Sequence, residues 1–424
     1  VFYDFMLTDQ ERELRDQVRR FVKEEVPSEL LRAMDRNEVD YPRRFVEQAA
    51  ERGLLGIRFD PRWGGRGLTW TAEAAAIEEV GVLGTALGCA FVMPSIVGEA
   101  LHHFGTEEQK ERFLKPVLAG RLISAEALTE PRGGSDFFGA TTRAELQGDE
   151  FLVSGQKRFV VGATEADLFL VYCRTNFEEK AHPHQTISAL IIERGPGVEV
   201  EYTYGLMGSR GGGTGRLVFR EVRVPRANLI GPLHSGAEVF NRMMVPERLT
   251  SAAACPGLAR AALEIAARYS DRRQAFGRPI RRFQAVNHLV AAAATELDAA
   301  RGLIHLAAKA VDSGAANQRR LVSEAKKFAT DAAWEIVNSA MQIMGGIGYT
   351  DIYPLERLLR DARLTQIWTG TNEIMANLIQ HEYFQEVLAG PGDRRLVEED
   401  AQSHDHREEK CFTEEDMWRV HWGG

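Results

Sequence analysis

The chain has 424 residues, 44% hydrophobic and 27% charged, which is the make-up of a globular protein of two or three domains with a large core. A net charge of -9 and a pI near 5.8 disfavour nucleic acid or an anionic membrane as the main partner, and no apolar run approaches the ~18–20 residues that span a bilayer. Four cysteines (Cys89, Cys173, Cys255, Cys411) without CxxC spacing, and eleven histidines without an HExxH-type set, predict neither disulfides nor a metal site and suit a reducing compartment.

The opening VFYDFMLTDQERELRDQVRRF lacks a signal-peptide layout and reads as a helix start. Thr8 caps it, and Glu11, three residues on, completes a capping box. Helical patterning runs from about residue 8 to 120, broken at FDPRWGGRGL, where Pro61 and Gly64-Gly65 mark a loop. Between about 121 and 235, FLVSGQKRFVV, DLFLVYCRT, TISALIIER, VEVEYTY and GRLVFREVRVP are short β-branched or aromatic runs. Turns such as QGDE, RGPG and GSRGGGTG separate them, which predicts a compact domain of antiparallel strands.

Helical periodicity returns after Pro232. The stretch RMMVPERLTSAAACPGLARAALEIAARY is expected to start a helix, with Pro246 suited to its first position. Further on, Val286, Leu289, Val290, Ala293, Leu297, Ala300 and Ile304 recur at three and four, and the helix through LVSEAKKFATDAAWEIVNSAMQIM should stop at Gly345-Gly346. These Ala-rich helices predict a tight bundle that also packs against another subunit. The expected class is α+β: an N-terminal helical domain (1–120), a middle antiparallel β domain (121–235), a C-terminal helical bundle (236–390) and a charged tail (391–424). In the tail His404 and His406 read as solvated, while Trp418 and Trp422 hint at docking on the body or a partner.

Four segments carry chemistry: ALTEPRGGSD (127–136), RRQAFGRPIRRFQ (272–284), QIMGGIGYT (342–350) and QIWTGTNEI (366–374). In this order, across the three zones, they make the chain resemble the acyl-CoA dehydrogenase family over roughly residues 6–389. The resemblance implies bound FAD, which takes a hydride from the β-carbon of an acyl thioester while a carboxylate removes the α-proton. It also implies that Leu128, Thr129, Gly134 and Ser135 contact the flavin, Ser135 reaching the substrate as well. Arg273, Phe276 and Gln284 would hold the FAD of a neighbouring subunit, with Gln342 and Gly345-Gly346 on the dinucleotide side and Thr371 and Glu373 making the final FAD contact. At KRFVVGA, Phe159 matches the family's aromatic, but Val161 stands where a hydroxyl residue is usual. One side-chain hydrogen bond to the flavin is therefore expected to be missing, which should alter redox poise more than binding.

Most family members carry the base immediately before the Gly-Thr of the late loop, which is Thr369 here. A threonine hydroxyl has no usable basicity at pH 7, so this position is left with its backbone N–H as a donor to the thioester carbonyl. A minority, including isovaleryl- and long-chain acyl-CoA dehydrogenases, place the glutamate on an earlier helix immediately before an arginine. Glu247 and Arg248 match that place, so the resemblance makes Glu247 the base. A glutamate in a first helical turn after Pro246 would also be explained by the helix dipole alone. Arg248, Trp368 and Gly370 are the expected substrate contacts, and a pocket for a branched, cyclic or long acyl group is mildly favoured. The implied setting is a cytoplasmic homotetramer that passes electrons to an electron-transferring flavoprotein. An oxygen-using acyl-CoA oxidase and a catalytically silent subunit are the competing readings; Thr369 and Val161 favour the silent subunit.

Overall fold

The computed structural model describes residues 3–390 together with Gly392 and Arg395, so Cys411 and the tail His404, His406, Trp418 and Trp422 lie outside the described residues. Helix α1 (Asp9–Glu25) starts at the expected capping box: the Thr8 hydroxyl accepts from the Glu11 amide at 3.3 Å, and the Glu11 carboxylate accepts from the Thr8 amide at 2.8 Å. It is followed by α2 (Ser28–Asp35), α3 (Arg43–Glu51), a single 3-10 turn at Pro61–Trp63 in the expected loop, α4 (Trp70–Gly81) and α5 (Thr85–Phe104). Contrary to the expectation from the sequence, α5 is long and apolar enough to cross a membrane by length and composition. Its apolar window is 94% buried inside the fold, which is why it is apolar on every side.

The middle region holds β1 (Ser124–Ala127), β2 (Arg143–Gln147), β3 (Glu150–Val160), β4 (Leu168–Arg174), β5 (Ile187–Glu193), β6 (Val198–Thr203), β7 (Gly215–Pro225) and β8 (Leu229–Ile230). They form one sheet in the order β6-β7-β3-β2-β4-β5-β8, with β1 joined to β4. The sheet is not wholly antiparallel as expected: β1 pairs parallel with β4, and β2 meets β4 in parallel at Arg143 and Arg174. The four-residue β1 has too short a pattern to announce itself as a strand.

Helices α6 (Gly236–Arg272), α7 (Gln284–Asp312), α8 (Gln318–Met344), α9 (Leu355–Thr365) and α10 (Asn372–Leu388) follow. Helix α8 ends at Gly345, whose φ of +64° is a backbone setting that favours glycine and takes the chain out of the helix. Residues Val1–Ile379 form one compact unit; a second begins at Gln380, and its described part is mainly the end of α10. The expectation for Pro246 is corrected. Helix α6 begins at Gly236 and carries both Pro246 and Pro256 in its interior. Each proline forfeits a backbone bond, a cost of about 3 kcal/mol in an isolated helix, and burial on all sides holds the helix together here. Glu247 is therefore mid-helix, and the helix dipole does not account for it.

Helix α6 is locked to α4 where two glycines let the backbones touch: a Cβ on Gly257 would sit 2.0 Å from the Glu78 carbonyl oxygen, and one on Gly81 2.2 Å from that of Ala254. Around this crossing Glu78 accepts from Arg301 at 2.6 Å, and Glu79 from Arg260 at 2.9 Å and Arg19 at 2.7 Å. The apolar face of α7 is buried at Ala293, Leu297, Ala300 and Ile304 but only half-buried at Val286, Leu289 and Val290.

Candidate active site

Parallel pairing in register gives β1 and β4 a common face. Glu126 pairs with Leu170, so strand alternation puts Glu126 on the same side as Leu168, Leu170 and Tyr172. On that side Glu126 and Tyr172 meet Glu247 of α6. Glu247 is 8% exposed, and its Oε1, the Oε1 of Glu126 and the Tyr172 hydroxyl are all buried without a protein hydrogen-bond partner. Burial raises the Glu247 carboxyl above the usual carboxylate range, with contact from Glu126 and the charge of Arg248 offsetting part of the rise. Burial raises Glu126 much further, and the neighbouring Glu247 adds to it. Arg248 is buried and donates to Ser323 Oγ on α8 at 3.4 Å, which ties two bundle helices beside the site.

The late loop is fixed to the same helix face. Ser251 lies one turn along α6 from Glu247 and accepts from Trp368 Nε1 at 2.7 Å. Thr369 follows with φ of +51° and a buried, unpartnered hydroxyl. The Gly370 carbonyl accepts from Lys326 Nζ at 2.8 Å, and Lys326 also donates to Asn372 Oδ1 at 2.9 Å. Asn372 and Gln366 in turn donate to Asp331 Oδ1 at 2.7 and 2.8 Å. Lys326 is completely buried, and burial brings its ammonium down to about 8. Lys326→Met should detach this loop, with a stability loss of about 1.5–3 kcal/mol for the charged hydrogen bonds and a larger fall in activity. Thermal unfolding beside flavin-reduction rates checks this; unchanged values in both would refute the anchoring role.

The turn after β1 is held from beneath. Lys157 Nζ donates to the Leu128 carbonyl at 3.1 Å and to Glu130 Oε1 at 2.8 Å, while the Glu130 carboxylate also receives the Thr141 hydroxyl and the Thr142 amide. Within 129–135 the chain bonds to itself only between Glu130 and Gly133. Ser135 is exposed, Thr129 and Gly134 are half-buried, and a Cβ at Gly134 would press on Thr129 Oγ1 at 3.0 Å. Phe159, next to last in β3, has φ of +56° at an irregularity in the pairing with β7 and packs on Tyr204 at 4.7 Å between ring centres; Val161 just beyond the strand is packed against the core.

The remaining candidate residues stand apart. Arg273 follows the last turn of α6, and at about 1.5 Å of rise per residue it is about 39 Å along the axis from Glu247. It opens a small hairpin with Phe276 at its tip, 94% exposed, and Gln284 starts α7 beside it. Gln342, Gly345 and Gly346 are exposed at the far end of α8, about 24 Å along that axis from Lys326. One chain thus gathers Glu247, Ser251, Trp368, Thr369 and Gly370 in one place and carries the Arg273 and Gln342 groups elsewhere. Thr371 is half-buried beside Gly370, with its hydroxyl accepting from the Ile374 amide at 3.3 Å, and Glu373 is exposed.

Sequence reading missed Glu126, Tyr172 and Lys326. The available signal was a charged residue inside an apolar run: Glu126 in ISAEAL, and Lys326 on the buried stripe of α8.

Family models for the acyl-CoA dehydrogenase N-terminal, middle and C-terminal domains match residues 8–121, 125–222 and 234–384. The chain is 35% identical over 384 residues to the probable acyl-CoA dehydrogenase YngJ of Bacillus subtilis, covering 89% of this chain and 99% of that one. It is 34% identical over 375 residues to cyclohex-1-ene-1-carbonyl-CoA dehydrogenase of Geobacter metallireducens, covering 87% and 96%. The structure of butyryl-CoA dehydrogenase from Megasphaera elsdenii superposes with a TM-score of 0.85 at 29% identity, covering 89% of this chain and 99% of that one. With its helical, β-sheet and helical parts each matched in order, the chain belongs to the acyl-CoA dehydrogenase family of oxidoreductases.

Proposed function

We propose that the protein catalyses FAD-dependent α,β-dehydrogenation of an acyl-CoA thioester to the trans-2-enoyl thioester, with Glu247 as base and an electron-transferring flavoprotein as acceptor. The observation that carries this is a buried Glu247 carboxyl, its Oε1 free of any hydrogen bond, beside a late loop that has threonine in the base position. Its raised ionisation suits a general base working near neutral pH.

The residues present fit a flavin dinucleotide. Glycine and hydroxyl residues at 129–135, a half-buried Thr371 and an exposed Arg273 give close backbone approach, neutral donors and a planar cation for phosphate. Leu128, Thr129, Gly134, Ser135, Phe159 and Val161 would hold the ring side, and Arg273, Phe276, Gln284, Gln342, Gly345 and Gly346 the dinucleotide side. When bound, FAD supplies the acceptor for the β-hydride. Glu247 takes the α-proton, the N–H of Thr369 donates to the thioester carbonyl as negative charge develops there, and Trp368 walls the pocket from its bond to Ser251. A branched or cyclic acyl group fits a base on α6. The similarity to a dehydrogenase named for a cyclic thioester agrees with that preference. Anaerobic titration with straight, branched and cyclic acyl-CoAs tests the reading. Flavin bleaching and electron transfer to added electron-transferring flavoprotein are expected; a flavin that no acyl-CoA bleaches would refute it.

The ~39 Å along α6 between Glu247 and Arg273 supports FAD sites completed by a second copy of the chain, with a homotetramer as the assembly. Arg273→Ala should then weaken FAD binding about 10- to 150-fold, the equivalent of ~1.5–3 kcal/mol for charge-assisted bonds. Co-expression with the Glu247→Gln chain should restore activity, because mixed assemblies contain sites with both residues intact. Absence of restoration in isolated mixed oligomers would place Arg273 and Glu247 in one subunit's site.

A further inference from the structure

The base proposed above does not stand alone. Glu126 reaches the same pocket from β1, and each of the two carboxyls has an oxygen shut away from water with no hydrogen-bond partner. The charged groups that face the pair are already engaged. Lys157, from β3, is held by Glu130 and the Leu128 carbonyl. Arg248, from α6, turns to Ser323. Tyr172, from β4, faces Glu126, and its phenol is pushed up by burial and by both carboxylates. Two carboxylates brought together out of water repel each other strongly, so the pair keeps a proton rather than ionise twice.

We propose that Glu126 is a positioning residue for the base: it retains its proton at neutral pH and donates it in a hydrogen bond that keeps the Glu247 carboxylate ionised and fixed in place. The order of ionisation follows from the surroundings. Repulsion between the two carboxylates is mutual and does not choose between them, but Arg248 beside Glu247 favours charge there, whereas Lys157, the cation nearest Glu126, is already paired with Glu130. Glu247 therefore ionises first and Glu126 holds the remaining proton. The working state is Glu247 charged beside Glu126 neutral. At higher pH a second charge appears next to the carbonyl on which negative charge develops, and the reaction slows. The inference rests on Glu247 being the base.

The test is the pH dependence of anaerobic flavin reduction, using the acyl-CoA that best bleaches the wild type, in Glu126→Gln and Glu126→Leu beside the wild type. The wild type should give a bell. Glu126→Gln keeps a donor, so the acid limb should stay and the alkaline limb should move out of range. Glu126→Leu has no donor, so the acid limb should rise by about one unit, a rate loss of about tenfold on that limb. A second readout needs no turnover. The folded-state ionisation of Glu126 lies above its unfolded value, so its contribution to stability is complete below the unfolded value and is lost as pH rises through the folded one. Thermal unfolding of the holoenzyme should therefore weaken more in that range for the wild type than for Glu126→Gln, which keeps only the part due to Glu247. Identical pH–rate profiles and unfolding curves for wild type and Glu126→Gln would overturn the proposal, whether or not Glu126→Leu folds. Flavin reduction surviving in Glu247→Gln but lost in Glu126→Gln would instead overturn Glu247 as the base.

Discussion

Glu247→Gln will bind FAD and acyl-CoA and fail to bleach the flavin, with the rate of reduction falling about 10³-fold, within the 10²–10⁴-fold range of a lost general base. The size of the effect follows from the pocket. Thr369 cannot accept a proton, Glu373 is exposed, Glu130 is committed to Lys157 and the Thr141–Thr142 segment, and Glu126, the other carboxyl in the pocket, is held toward its neutral form by burial. The amide fills the same volume, so the fold should be preserved and thermal unfolding should move little at neutral pH. In the wild type the raised Glu247 ionisation gives a definite sign: the reaction is slow below that value, where the carboxyl is protonated, and rises as pH passes through it. Equal bleaching by Glu247→Gln and wild type, measured anaerobically with the same acyl-CoA, would remove Glu247 from the role.

How much of this was legible in the sequence depended on how local the signal was. The capping box at Thr8, the strands from FLVSGQKRFVV to GRLVFREVRVP and the stop at Gly345 are written in neighbouring residues, and the structure has them. Pro246 misled for the opposite reason. Its local preference for a first turn is overridden by the burial of α6 against α4, which long-range packing decides and no nearby residue announces. Glu247 itself was legible only by resemblance, since a glutamate before an arginine is common. Glu126, Tyr172 and Lys326 stayed hidden because their partners come from distant elements. Glu126 sits opposite α6 only once β1 has paired with β4, and Lys326 matters only because Gly370 and Asn372 fold back onto α8.

Lys157→Met should be the most damaging substitution for stability among the site residues, at about 3–5 kcal/mol, because it leaves a buried carboxylate without its cation. Lys157 is fully buried and Glu130 is 3% exposed, so water cannot make good the loss. Methionine fills the lysine's volume, which separates the missing charge from a cavity. The Leu128 carbonyl loses a donor at the same time, so the 128–135 turn should slacken and FAD retention on gel filtration should fall with stability. The pH signature has a fixed sign. Burial opposes ionisation of Glu130, but Lys157 and Thr141 outweigh it and hold the carboxyl down at about 2. In the wild type this gain is present above the unfolded carboxylate value of about 4.3 and drains away as pH falls toward the folded one. Lys157→Met should flatten that stretch of the curve, and adding Glu130→Gln should recover part of the lost stability by removing the stranded charge. Thermal unfolding of the wild type, Lys157→Met and the double variant between pH 2 and 8 decides it: if the double variant is no more stable than Lys157→Met, the damage comes from the lost contacts of the lysine stem and not from an unpaired carboxylate.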